Sequence, residues 1–116
     1  KSLSRCKFLE ILPNKNKYSK NIYWVYGILV LKKQKRNLVK FLKSKGIETR
    51  EFFTSMHNQP ILKELGLVSK RESYPISEKL EKNGIYLPSG PNISIKELKF
   101  INKSIKEFFF NKYKDF

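Results

Sequence analysis

The chain has one cysteine, one histidine, one tryptophan and one methionine in 116 residues. These scarcities exclude several kinds of chemistry. A lone Cys6 cannot close an intramolecular disulfide. With His57 the sole histidine, a zinc site of His and Cys ligands cannot be assembled. His57 is also the one candidate base for a nucleophile. Ser55 lies two residues from it, Cys6 is distant in sequence, and no Gly-x-Ser-x-Gly frame is present, which argues against a triad. Glycine-rich loops of the Gly-x-Gly-x-x-Gly or Walker type, which cradle nucleotide phosphates, are missing too. The longest apolar run, Ile22 to Leu31, is about half of the roughly 20 residues that a membrane helix needs. Charges interrupt Lys1 to Leu12, unlike a signal peptide. A cytoplasmic location with no membrane partner is therefore expected, and a start at Lys1 rather than Met points to a natural start further upstream.

Negative charge is scarce as well. Lys and Arg number 25 against 10 Asp and Glu, a net charge of +15. Such an excess is the usual footprint of a polyanion partner. Arginine stands only at Arg5, Arg36, Arg50 and Arg71, whereas bidentate phosphate and guanine recognition favours arginine. Solvated lysine faces are therefore preferred over a nucleic-acid surface. The aromatic content of 14% and hydrophobic content of 40% argue against disorder, and a chain of this length buries about 65% of its unfolded surface as one domain.

The pattern predicts a basic lead-in over residues 1–20, ended by Pro13-Asn14, then one small domain over 21–116. Asn21 to Leu31 reads as a strand covered on both faces, because apolar residues occupy both alternating sets. Gly27 within it marks a bulge or the close approach of another backbone. Asn37 is placed to cap a helix ending at Lys45, with Gly46 as its left-handed stop. Ile47 to Phe53 then forms a second strand and completes a β-α-β-like unit. Pro60 to Gly66 and Pro75 to Gly84 are helices with proline at the start and glycine just past the end. Ile85 to Leu87 is a short strand before the Pro88-Ser89-Gly90-Pro91 turn. Ser94 and Glu97 have capping-box spacing ahead of a helix striped by Leu98, Ile101, Ile105 and Phe108. Its lysines Lys96, Lys99, Lys103 and Lys106 read as a solvated face, and Phe109 and Phe110 exceed one stripe, which predicts packing against something outside the segment. The expected fold class is α+β, a small sheet of about three strands covered by helices.

Three blocks occur in order: Tyr23-Trp24-Val25-Tyr26-Gly27, then Gly46-Ile47-Glu48-Thr49-Arg50-Glu51-Phe52-Phe53-Thr54-Ser55-Met56-His57-Asn58-Gln59-Pro60, then Tyr86-Leu87-Pro88-Ser89-Gly90. Over roughly Lys20 to Phe109 they resemble the C-terminal domain of the DegT/DnrJ/EryC1/StrS sugar aminotransferases, and its perosamine synthetase branch above all. The resemblance implies the small domain of a fold-type I enzyme that uses pyridoxal phosphate to transfer an amino group, usually from glutamate, to a 4-keto-6-deoxy sugar nucleotide. It also implies that the Schiff-base lysine and the phosphate site belong to a large N-terminal domain. This segment should then bind no cofactor and catalyse nothing alone. The implied partners are that large domain, a sugar nucleotide and a second copy in a homodimer.

By motif position, the resemblance carries substrate binding over to Arg50, His57 and Gln59, with Tyr86 and Ser89 as neighbours of the cleft. Arg50 would meet a carboxylate or phosphate through its planar fork, or else pair with a local glutamate. His57 would hydrogen-bond a diphosphate or a sugar hydroxyl, or else donate to a backbone carbonyl. Gln59 would orient it, or else cap the next helix. Trp24 and Tyr26 read as core or domain-interface residues. Two other functions stay open on the sequence: a small basic nucleic-acid-binding domain, and a silent folding or dimerisation remnant.

Overall fold

A computed structural model describes residues 3–113 except 5, 14, 70 and 71. Four short strands, β1 (Leu9–Ile11), β2 (Tyr26–Val30), β3 (Arg50–Glu51) and β4 (Gly84–Leu87), form one antiparallel sheet in the order β1-β2-β4-β3. The helices are α1 (Lys35–Ser44), α2 (Pro60–Glu64), α3 (Pro75–Asn83) and α4 (Ile95–Tyr113), with a single 3-10 turn at Met56–Asn58. The α+β class is as expected, with a fourth strand added. Because β4 pairs antiparallel with both β2 and β3, those two run parallel across it with α1 as their crossover. The β-α-β-like unit is therefore present, split by β4.

The register assigns each side chain to a face. Leu9 pairs with Val30 and Ile11 with Ile28, while Ile28 pairs with Ile85 and Tyr26 with Leu87. Residues two apart share a face, so these apolar side chains form one surface. Helices α1 and α4 cover it with Leu38, Leu42, Ile101, Ile105 and Phe108, all in one buried cluster. The opposite face carries Glu10, Gly27, Leu29, Gly84, Tyr86 and Arg50. There α3 covers one end, and Lys79 of α3 reaches Glu10 at 2.6 Å.

Several expectations are corrected. The basic lead-in is part of the domain: it supplies β1, and Leu3, Cys6 and Phe8 enter the core. Its short apolar stretch, Phe8 to Ile11, is too brief for periodicity to register. The strand expected from Asn21 starts only at Tyr26, because the Asn21 side chain accepts the Tyr23 amide at 2.7 Å and Tyr23 takes φ 53°, a local turn of the kind asparagine favours. The strand expected over 47–53 shrinks to two residues. Its partner β4 is only four residues long, and Pro88 has no amide to extend the ladder. Helix α1 begins at Lys35, with Gln34 at the N-cap position and no side-chain cap bond, so Asn37 lies inside the helix, while Gly46 takes φ 74° as its stop.

Two glycines act differently from the reading given to them. Gly84 opens β4 in extended backbone. A Cβ on it would stand 2.3 Å from the Phe52 ring and 2.5 Å from the Leu80 carbonyl. A Cβ on Gly27 would meet the same ring at 2.6 Å. The close approach at Gly27 is thus a side chain, Phe52, lying in a cup made by two glycines. At the end of α4 the two rings differ. Phe109 is fully buried and stacks on Phe8 at 5.3 Å, whereas Phe110 is exposed. Burying such a ring contributes about 1.5–3 kcal/mol. At the other end of α4 the expected capping box is formed: the Glu97 amide donates to Ser94 Oγ at 3.2 Å, and the Ser94 amide donates to Glu97 Oε2 at 2.7 Å.

Candidate functional site

Arg50 and Tyr86 are directly opposed across β3 and β4, so their side chains leave the sheet on the same face. Phe52, two residues on, stacks on the Tyr86 ring at 4.3 Å with the planes 12° apart, and Phe53 leans on it at 5.7 Å. Beyond Tyr86 the chain turns at Pro88-Ser89, and Trp24 stands across from it. These residues enclose an open groove of about 410 Å³, lined by Arg50, Tyr86, Ser89, Trp24, Phe53 and the carboxylates of Glu48 and Glu51. The guanidinium of Arg50 makes no ion pair or side-chain hydrogen bond with a described residue. Glu51 faces Lys35 at 3.4 Å. Burial holds the Tyr86 phenol above its ordinary pKa.

His57 and Gln59 lie elsewhere. The His57 ring is 9% exposed, with Nε2 3.1 Å from Glu78 Oε1 and the ring against Tyr74. Neighbouring Glu81 accepts the Ser55 amide and the Asn58 side-chain amide, both at 3.1 Å. The two carboxylates are one helical turn apart on α3 and hold the 54–59 turn from beneath. Both are kept below the ordinary carboxylate pKa: Glu78 chiefly by the Tyr74 amide and then by His57, Glu81 chiefly by the Asn58 amide. His57 opens on a separate hollow beside Glu72, Glu78, Glu81 and Lys82. Gln59 donates back to the Thr54 carbonyl at 3.1 Å and is the N-cap residue of α2 without a side-chain cap bond.

The structure therefore brings Arg50, Tyr86 and Ser89 together and leaves His57 and Gln59 with the turn that carries Phe53. Sequence reading missed Trp24 as a groove residue; it is 74% exposed. The signal was the Asn21 turn, which takes Trp24 out of the strand. It also missed Glu78 and Glu81, whose spacing of three on a proline-started helix puts both on one side. On its far side, Trp24 also borders a larger apolar groove of about 700 Å³ between Leu3, Ile22, Leu98 and Ile101.

A scan of family models matches residues 1–106 to the DegT/DnrJ/EryC1/StrS aminotransferase family. The chain belongs to that family. The match reaches into the first twenty residues, in keeping with β1. Among curated relatives, GDP-perosamine synthase of Escherichia coli O157:H7 is 36% identical over 110 residues, covering 91% of this chain and 29% of that protein. GDP-perosamine synthase of Vibrio cholerae is 30% identical over 90 residues, covering 75% of this chain and 24% of that protein. Two solved structures share the fold. The aminotransferase TlmJ from Streptoalloteichus hindustanus has a TM-score of 0.79 at 14% identity over 96% of this chain and 29% of its own. Helicobacter pylori PseC, an aminotransferase of pseudoaminic acid biosynthesis, has a TM-score of 0.79 at 18% identity over 95% of this chain and 29% of its own. This chain thus spans less than a third of the length of these relatives.

The family implies pyridoxal phosphate. The described residues of this domain do not fit it, since none of the three grooves beside Trp24 is lined by a described lysine that could hold the cofactor covalently. Lys35, 13% exposed at its side chain, spends its ammonium on the Glu81 carbonyl and Glu51. Among the described residues no helix is long and apolar enough to cross a membrane.

Proposed function

We propose that this chain is the small C-terminal domain of a pyridoxal-phosphate-dependent sugar-nucleotide aminotransferase of the perosamine synthase kind, with the cofactor carried by a large N-terminal domain. In this reading the groove around Arg50 is the small domain's share of the substrate site. The Arg50 fork grips diphosphate oxygens, since two charged oxygens of one tetrahedral phosphate can accept parallel hydrogen bonds from the guanidinium. Tyr86 and Ser89 donate to hydroxyls of the sugar or ribose. Trp24 and Phe53 form walls that shed water as the large domain closes. His57, Glu78 and Glu81 fix the turn that carries Phe53, and Gln59 ties its two ends. The transfer chemistry itself lies with the large domain, and the assembly is a homodimer in the cytoplasm.

The observation that carries this reading is the 36% identity to GDP-perosamine synthase across 91% of this chain, joined to a free arginine at the mouth of an aromatic groove. Its test is a chimera in which this chain replaces the matching segment of the Escherichia coli enzyme. Amino transfer from glutamate to a 4-keto-6-deoxy sugar nucleotide should persist. A chimera that folds and binds pyridoxal phosphate yet has no affinity for the sugar nucleotide would contradict the proposal.

A further inference from the structure

Taken helix by helix, the lysines of α1 and α4 read as solvated faces, but the fold sets the two helices side by side. Both pack onto the same face of the sheet, joined by Phe41 against Phe108 at 5.4 Å and by Lys45 to Glu107 at 2.9 Å. Their outward sides therefore form one surface. On α1 it carries Arg36, Lys40 and Lys43, at helical spacings of four and three; on α4 it carries Lys96, Lys99 and Lys103, at three and four. All six are exposed, and none is in an ion pair with a described residue. The two acidic residues of α4 are committed, Glu97 to the Ser94 cap and Glu107 to Lys45. From residue 11 to residue 47 the sequence has ten Lys and Arg and no Asp or Glu.

Like charges one turn apart on a helix repel, and a surface selected for solubility alone mixes both signs. The acidic residues of α4 beside this surface, Glu97 and Glu107, are those committed ones, while Glu78 and Glu81 of α3 bind backbone and side-chain amides away from it. Beside the lysines of α4 stand exposed apolar side chains, Ile95 (72% exposed), Phe100 (48%) and Phe110 (58%). Basic residues interleaved with exposed Phe and Ile on a helical surface are the composition of an interfacial contact, where charge meets lipid headgroups and apolar groups enter the acyl boundary.

We propose that the joint α1/α4 face docks on an anionic lipid bilayer. A nucleic-acid partner fits less well, because five of the six cations are lysines without arginine's bidentate fork and a phosphodiester backbone gives Phe100 and Ile95 nothing apolar to enter. Docking here leaves the Arg50 groove, on the opposite face of the sheet, open to solvent. The inference is independent of the aminotransferase reading.

The test is co-flotation of the 116-residue chain with vesicles of phosphatidylglycerol and phosphatidylcholine, and with phosphatidylcholine alone. Binding should require phosphatidylglycerol and weaken with added salt. Each lysine near an anionic leaflet strengthens binding about fivefold, so a Lys40→Gln, Lys43→Gln, Lys99→Gln, Lys103→Gln variant should lose at least about a hundredfold. A variant of equal net charge, Lys15→Gln, Lys17→Gln, Lys20→Gln, Lys63→Gln, should keep most of the affinity, and Phe100→Ser should lower it with no change of charge. Circular dichroism checks each fold, and single Lys43→Glu and Lys99→Glu variants give the same ranking should the quadruple variant not fold. Equal loss in the two quadruple variants would overturn the proposal. So would displacement by millimolar inorganic phosphate, tighter binding to duplex DNA than to vesicles, or indifference to phosphatidylglycerol.

Discussion

On the helix-covered face of the sheet, Ile28, Val30, Ile85 and Leu87 are at most 6% exposed and meet α1 and α4 in one continuous cluster. The alternate positions on the same strands hold Gly27, Leu29, Gly84, Tyr86 and, on β3, Arg50. That second face is held by the Phe52 ring in its cup of two glycines and by carboxylates that collect amides, and it leaves Trp24 and Phe53 in solvent. Alternation along the strands thus separates two tasks: one face supplies stability through apolar burial, and the other presents polar and aromatic groups on a backbone that the first face keeps rigid. Substitutions should divide in the same way.

The largest effect is expected on the apolar face. Ile105 is fully buried, so Ile105→Ala should cost about 2–5 kcal/mol in chemical denaturation. Phe53→Ala, at a site 70% exposed, should stay within about 0.5 kcal/mol. Equal losses would mean that the second face is as much core as the first. Next comes Gly84→Ala, where the new methyl meets the Phe52 ring and the Leu80 carbonyl; overpacking of this kind costs about 1–3 kcal/mol. Since the carbonyl is backbone, Phe52→Leu should restore only part of the loss, and full restoration would mean that the ring alone sets the constraint.

Smaller effects are expected at the cap of α4 and at the carboxylates that collect amides. Ser94→Ala removes one half of the capping box and should cost about 1 kcal/mol; an unchanged midpoint would move the start of α4. The acid limb comes last. The carboxylates of Glu78, Glu81 and Glu97 sit below their ordinary value of 4.5, held chiefly by the Tyr74 amide, the Asn58 amide and the Ser94 hydroxyl. Depressed carboxylates stabilise the fold fully above the unfolded value and lose that contribution as pH falls through the folded values. Denaturation midpoints should therefore decline below about pH 4.5, and Glu81→Gln should make the decline shallower. An unaltered acid limb in that variant would remove Glu81 from the account.

Much of this was legible in the sequence because it depends on neighbours along the chain. The capping box at Ser94, the prolines that start α2 and α3, and the α1 stop at Gly46 each rest on residues within one helical turn. The motif blocks pointed to the family and named Arg50, His57, Gln59, Tyr86 and Ser89, of which Arg50, Tyr86 and Ser89 line one groove. What failed depends on distant partners. Phe8 joins the core only because Phe109 meets it from a hundred positions away. Gly84 is set by Phe52 and not by the helix that it follows. His57 shared a motif with Arg50, but a motif fixes order and not direction, and the turn at Met56–Asn58 points the ring toward Glu78.

The central claim is that Arg50 contacts substrate and His57 only supports the turn, and steady-state kinetics of the chimeric enzyme test it most directly. Arg50→Ala should leave stability within about 0.5 kcal/mol and raise KM for the sugar nucleotide at least about tenfold, the loss of one charge-assisted contact. His57→Ala should lower stability by about 1–3 kcal/mol while KM, measured well below the melting temperature, stays near that of the parent. The reverse pattern, an unchanged KM for Arg50→Ala and a large rise for His57→Ala, would contradict the account.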